Sequence, residues 1–165
     1  MITVVVDDIA SVRADAVLRP AGESLEPIAA SARRLDEQGG PRFAELYRVT
    51  SPLEAGAAVV TGGGDLVAPF VIHVVIQDAT FPIAPTTVRR ALVSAWQRAG
   101  VWELGRIGAP LVGADGGRLS LEQAAALLVE TFPRPGAGGH PAELCIVVER
   151  PEERDAVEAI VRRPA

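Results

Sequence analysis

The chain has no lysine and no asparagine, a single cysteine, two histidines, and aromatic residues at only 4% of its 165 positions. Each scarcity removes a class of chemistry. Without lysine no Walker-type loop can be built, because that loop needs its lysine at the phosphates. A lone Cys145 excludes an intrachain disulfide, and together with His73 and His140 it gives no zinc-ligand spacing. No metal and no cofactor are expected. Two histidines and no nucleophile-elbow motif leave no base beside a nucleophile, so no catalytic residue is assigned. The 16 basic residues are all arginine and face 21 acids, a formal net charge of -5. Phosphate neutralisation along a nucleic acid needs a basic surface that this balance does not supply, so nucleic acid is not an expected partner. The apolar opening Met1 to Val6 is too short for a signal-peptide core or a membrane span. A cytoplasmic protein without membrane contact is the expectation.

What the chain does have is apolar mass: 48% of it is hydrophobic against 22% charged. That suffices for a sizeable core, and residues 1–165 are expected to form a single domain. Apolar runs alternate with amphipathic stretches from end to end, the pattern of an α/β layered fold. The expected strands are Ile2 to Val6, Asp15 to Arg19, Ala57 to Thr61, Phe70 to Gln77, Arg106 to Val112 and Glu143 to Glu149. Phe70 to Gln77 is a nearly continuous β-branched run, which suits a strand covered on both faces, and it is placed in the middle of the sheet.

Helices are expected between these strands. In Thr87 to Ala99 the residues Val88, Leu92, Ala95, Trp96 and Ala99 recur at spacings of three and four, with arginines on the other face. Ser120 and Gln123 form a capping box ahead of an apolar stripe. Pro151, Glu152 and Glu153 suit a first turn whose helix runs to Arg162 and Arg163. Ser24 is read as the cap of a helix reaching about Leu35, with Pro27 in its first turn, and a further helix as running from Pro41 to about Val49. The pairs Arg33-Arg34, Arg89-Arg90 and Arg162-Arg163 read as solvated helix faces. His73 reads as a core residue and Cys145 as an inert small hydrophobe.

Three glycine-bearing loops follow strands, where open α/β sheets bind ligands. They are Arg19-Pro20-Ala21-Gly22, Thr61 to Asp65, and Gly113-Ala114-Asp115-Gly116-Gly117. The third leads into the helix capped by Ser120 and can aim backbone N–H groups at a phosphate. Asp7-Asp8-Ile9 closes the first strand. A carboxylate there can accept from an exocyclic amine such as that of adenine, or can form a surface turn or helix cap.

In their order and separations these pieces resemble the macro domain, the ADP-ribose-binding module. The fragments that carry the resemblance are Asp7-Asp8-Ile9, Ala14 to Val17, Ala55 to Leu66, Phe70 to His73, Pro110 to Gly113, and Gly116-Gly117 with the helix beyond. The resemblance implies a three-layer α/β/α sandwich around a mixed, mostly parallel six-stranded sheet, with a cleft at the strand ends. It implies ligand-binding roles at Asp8, Arg19, Ala21, Gly22, Gly113, Ala114, Asp115, Gly116, Gly117 and Arg118. The family's G-D-I aspartate, which contacts adenine, matches Asp8. Its V-N-x-A-N segment falls on Val17 to Gly22, placing Arg19 and Gly22 where the two asparagines belong. The second of these is associated with hydrolysis in active members, a role glycine cannot take. The family's glycine triplet falls on Ile28-Ala29-Ala30-Ser31, which reads as helix. In the second phosphate loop Asp115 brings a carboxylate toward a diphosphate.

Two functions follow from the resemblance. One is a module binding ADP-ribose or a related adenine nucleotide, with altered specificity and little or no ADP-ribosyl hydrolysis. The other is a degenerate domain without nucleotide that acts as a scaffold, homo-oligomer or protein-interaction module.

Overall fold

The computed structural model describes residues 1–115, 118–134 and 139–164. Six strands form one sheet: β1 (Ile2–Val6), β2 (Ala16–Ala21), β3 (Ala58–Gly62), β4 (Phe70–Val75), β5 (Arg106–Ala109) and β6 (Glu143–Val148), in the spatial order β1-β6-β5-β2-β4-β3. Every pairing is parallel except that of β3 with β4. The mixed, mostly parallel sheet that the resemblance implies is thus present.

Alternation along each strand explains the layers, because successive side chains leave a strand on opposite faces. On β6, Leu144, Ile146 and Val148 join one core cluster, while Cys145 and Val147 join another. On β2, Ala16 and Leu18 divide from Val17 in the same way. The larger cluster receives α3 (Pro85–Val101), α4 (Leu121–Thr131) and α5 (Pro151–Val161) through Val88, Leu92, Leu128, Val157 and Ile160. The smaller receives α1 (Ala30–Gln38) through Leu35 and the short α2 (Phe43–Leu46) through Phe43. The result is a three-layer α/β/α sandwich. Helix α4 starts as its sequence requires: Ser120 Oγ accepts from Gln123 N at 3.0 Å, and Gln123 Oε1 accepts from Ser120 N at 3.0 Å.

Four local expectations are corrected. Strand β4 is buried and interior but lies one place in from the β3 edge rather than mid-sheet. Its apolar run reports that both faces are covered, which says nothing of its rank across the sheet. No helix starts at Ser24. Leu25 takes a positive φ of 61° and is fully buried, and Pro27 makes an antiparallel bridge to Ala21, so the segment folds back over the end of β2 and α1 begins only at Ala30. From Pro41 onward only Phe43–Leu46 is helical. Strand β5 stops at Ala109 because Pro110 has no N–H to continue the ladder.

Candidate functional site: a cleft at the parallel strand ends

The carboxyl ends of β1, β5 and β6 open onto a cleft of about 820 Å³. In a parallel sheet this is where ligands are held, and the volume is of the size that takes a nucleotide-sized molecule. Asp7, Asp8 and Ile9 follow β1, Pro110 and Leu111 follow β5, and Val147 to Glu149 close β6, while Ala30, Ser31, Arg33, Arg34 and Glu37 of α1 form the facing wall. With Glu153 of α5 and Asp115, the lining carries six carboxylates and two guanidinium groups.

Asp8 is held from two sides. Its Oδ1 accepts from Ala10 N at 3.0 Å, and its Oδ2 accepts from Arg34 Nε at 2.9 Å and Nη2 at 2.6 Å. The hydrogen bond from Arg34 holds the Asp8 carboxyl below its ordinary pKa, and partial burial offsets this only in part. Arg34 therefore does more than cover a solvated helix face. It crosses from α1 to the end of β1.

Asp115 reaches the same wall. Its Oδ2 accepts from Ser31 N at 3.0 Å, in the first turn of α1. That turn has no cap of its own, since its N-cap residue is Ala29, so the carboxylate supplies both the missing acceptor and a negative charge at the positive end of the helix dipole. The hydroxyl of Ser31 is buried without a partner among the described residues.

None of the other described candidates lines this cleft. Arg19 is fully buried beneath α1: its Nε and Nη2 donate to Asp36 Oδ1 and Oδ2 at 2.8 and 3.1 Å, and its Nη1 donates to Leu25 O at 2.7 Å. Its guanidinium stacks 4.2 Å from the centre of the Tyr47 ring, and Tyr47 Oη donates to Asp36 Oδ2 at 3.0 Å. Arg19 Nη1 also lies 3.2 Å from His73 Nδ1. A guanidinium only donates, so Nδ1 accepts, the proton sits on Nε2, and Thr61 Oγ1 receives it at 2.7 Å. Burial first, and the Arg19 charge second, push the His73 pKa down to about 3.

Ala21 is buried under the returning segment, and the side-chain position of Gly22 is filled by the Glu26 carboxylate. Gly113 and Ala114 follow Leu111 in the turn after β5 and do not line the cleft; Gly113 holds a φ of +93° with Leu119 and Val88 packed where a side chain would go. Arg118 is exposed and does not line the cleft. Gly116 and Gly117 lie outside the described residues. The remaining glycine loop, Thr61 to Asp65, joins the antiparallel pair β3 and β4 at the opposite end of the sheet. Of the eight candidates among the described residues, then, Asp8 and Asp115 line this cleft. Arg34, Ser31 and Glu153 were not among them; for Arg34 alone, its spacing from Ala30 and Glu37 hints in sequence at a shared face of α1.

A mostly parallel sheet between two helical layers, with a cleft at its carboxyl strand ends, defines a class of three-layer α/β/α domain, and comparison specifies which. The model of the Macro domain family matches residues 20–128. A protein of Aeropyrum pernix is 30% identical over 126 residues, 76% of this chain and 67% of its own. The chain belongs to the Macro domain family. Among solved structures, the Trypanosoma brucei macrodomain in complex with ADP-ribose superimposes with a TM-score of 0.81 at 18% identity, covering 97% of this chain and 68% of that one. A macrodomain mutant of Oceanobacillus iheyensis with ADPR gives 0.78 at 20% identity, covering 96% and 90%. At such identities the likeness shows the shared fold. No helix among the described residues is long and apolar enough to cross a membrane.

Proposed function

We propose that this chain binds ADP-ribose or a related adenine nucleotide in the cleft between α1 and the ends of β1 and β6, with altered specificity and little or no ADP-ribosyl hydrolysis. The observation that carries the reading is the convergence of two anchors on one cavity: the Asp8–Arg34 pair at the end of β1, which presents polar groups to the edge of a base, and the first turn of α1, whose N–H groups suit a phosphate. The ADP-ribose complex of the Trypanosoma brucei relative supports the ligand class.

Altered specificity follows from charge. Like charges about 4 Å apart at an effective dielectric of about 20 repel by about 4 kcal/mol before solvent screening. Asp115 stands at the α1 turn where a phosphate would bind, and Arg33 and Arg34 are the lining cations that offset it. The reading without hydrolysis rests on Gly22, which offers no functional group, under the Glu26 carboxylate. It needs no cofactor or metal, takes residues 1–165 as one such module, and places it in the cytoplasm.

Calorimetric titration of the purified chain with ADP-ribose at low salt tests this. Saturable binding that weakens in Asp8→Ala supports it; absence of heat at millimolar ligand contradicts it. The scaffold alternative draws on the self-satisfaction of the cleft, where Arg34 covers Asp8 and Asp115 covers Ser31. It predicts no nucleotide binding, and a mass above that of one chain in sedimentation.

A further inference from the structure

We propose that Arg34 sets the base preference of the cleft, favouring a purine with an oxygen at its sixth position over one with an amine there. This rests on the nucleotide reading and locates its altered specificity at the base. Asp8 is the carboxylate to which an exocyclic amine would donate, but three of its acceptor directions are taken: two by Arg34 on Oδ2, at 2.9 and 2.6 Å, and one by Ala10 N on Oδ1, at 3.0 Å. An incoming amine must displace a charge-assisted bond or crowd onto the one direction left.

A carbonyl oxygen meets the reverse situation. Arg34 Nη1 lies 3.7 Å from Glu37 Oε2, an ion-pair separation too long for a hydrogen bond, so its N–H groups keep donor capacity. A guanidinium offers five donors and no acceptor, and its fork matches the O6 and N7 pair of a 6-oxopurine. The side chain is 43% exposed and anchored through Asp8, so it is both accessible to ligand and oriented before ligand arrives. Arg34 is thus a specificity-determining residue, and the acceptor edge of the base is what it reads.

The test compares ADP-ribose with its hypoxanthine counterpart, which carries an oxygen in place of the amine and is otherwise matched in ribose and diphosphate. The ratio of the two affinities cancels everything but the base. The wild-type chain is expected to bind the hypoxanthine ligand about tenfold more tightly, the scale of one unmatched hydrogen-bonding partner. In Arg34→Ala the ratio falls to one or reverses, and Arg34→Lys, which keeps donors, retains part of the preference. Circular dichroism establishes that both variants are folded. Equal affinities in the wild type, or a ratio unmoved by Arg34→Ala, overturn the assignment while leaving nucleotide binding intact. If neither ligand binds any of the three proteins, the nucleotide reading itself fails and the assignment falls with it.

Discussion

Two arginine–aspartate pairs tie α1 to the sheet, and their surroundings give the same chemistry different roles. Arg19 is fully buried and Asp36 is 24% exposed; Arg34 is 43% and Asp8 32% exposed. The inner pair is a closed network with Leu25, Tyr47 and His73, in which every member is already satisfied. The outer pair faces a cavity and leaves donors unused. Asp36 and Arg34 are two residues apart on one helix, so they leave it on different faces. The inner pair fixes where α1 stands, and the outer pair meets whatever enters the cleft.

The largest effect that separates the two comes from removing Arg19. Arg19→Met strands the Asp36 carboxylate, Leu25 O and His73 Nδ1, and breaking a buried pair from one side destabilises by about 3 kcal/mol or more. A urea titration checks this: a midpoint equal to that of the wild type would dissolve the distinction between the pairs. Next in size is a pH effect. With the folded pKa of His73 near 3 and an unfolded value of 6.5, the unfolded chain binds the extra proton between these limits. Stability is therefore full above pH 6.5 and is lost as pH falls below it, by up to about 1.4 kcal/mol per pH unit. Denaturation curves from pH 7.5 to 5 should show this slope, and His73→Phe should flatten it.

Smaller still is the effect of Asp115→Gly, which uncovers the first turn of α1. It should tighten ADP-ribose about fivefold while leaving adenosine unchanged, since only the former carries the diphosphate that competes for Ser31 N. Parallel calorimetric titrations decide; equal changes for both ligands would place the carboxylate outside the phosphate path. The smallest effect is expected for Arg34→Ala on stability, because exposed pairs contribute little, and its urea midpoint should match the wild type.

The layers of the fold were legible because they depend on local pattern. Apolar runs marked all six strands to within a few residues, and Ser120 with Gln123 marked the start of α4. The segment from Ser24 to Ala29 was misread because its helical spacing competes with a bridge to β2 and a buried Leu25, neither of which is local information. The cleft was legible at Asp8 and Asp115, whose positions follow strand ends. Their partners were not: Arg34 is 26 residues from Asp8, Ser31 is 84 from Asp115, and Asp36 is 17 from Arg19. Only the approach of α1 to the sheet brings these together, and that approach is set by the packing of Leu35 and the buried Arg19.

The central claim, that a nucleotide of the ADP-ribose type enters between α1 and the ends of β1 and β6, is tested most directly by amide chemical-shift mapping during an ADP-ribose titration. The account predicts saturable shifts at Asp8, Ile9 and Ala10 after β1 and at Ser31 and Arg34 on α1. Shifts confined to another surface, such as that around the exposed Val101 and Trp102 at the end of α3, or none at saturating ligand, would contradict it.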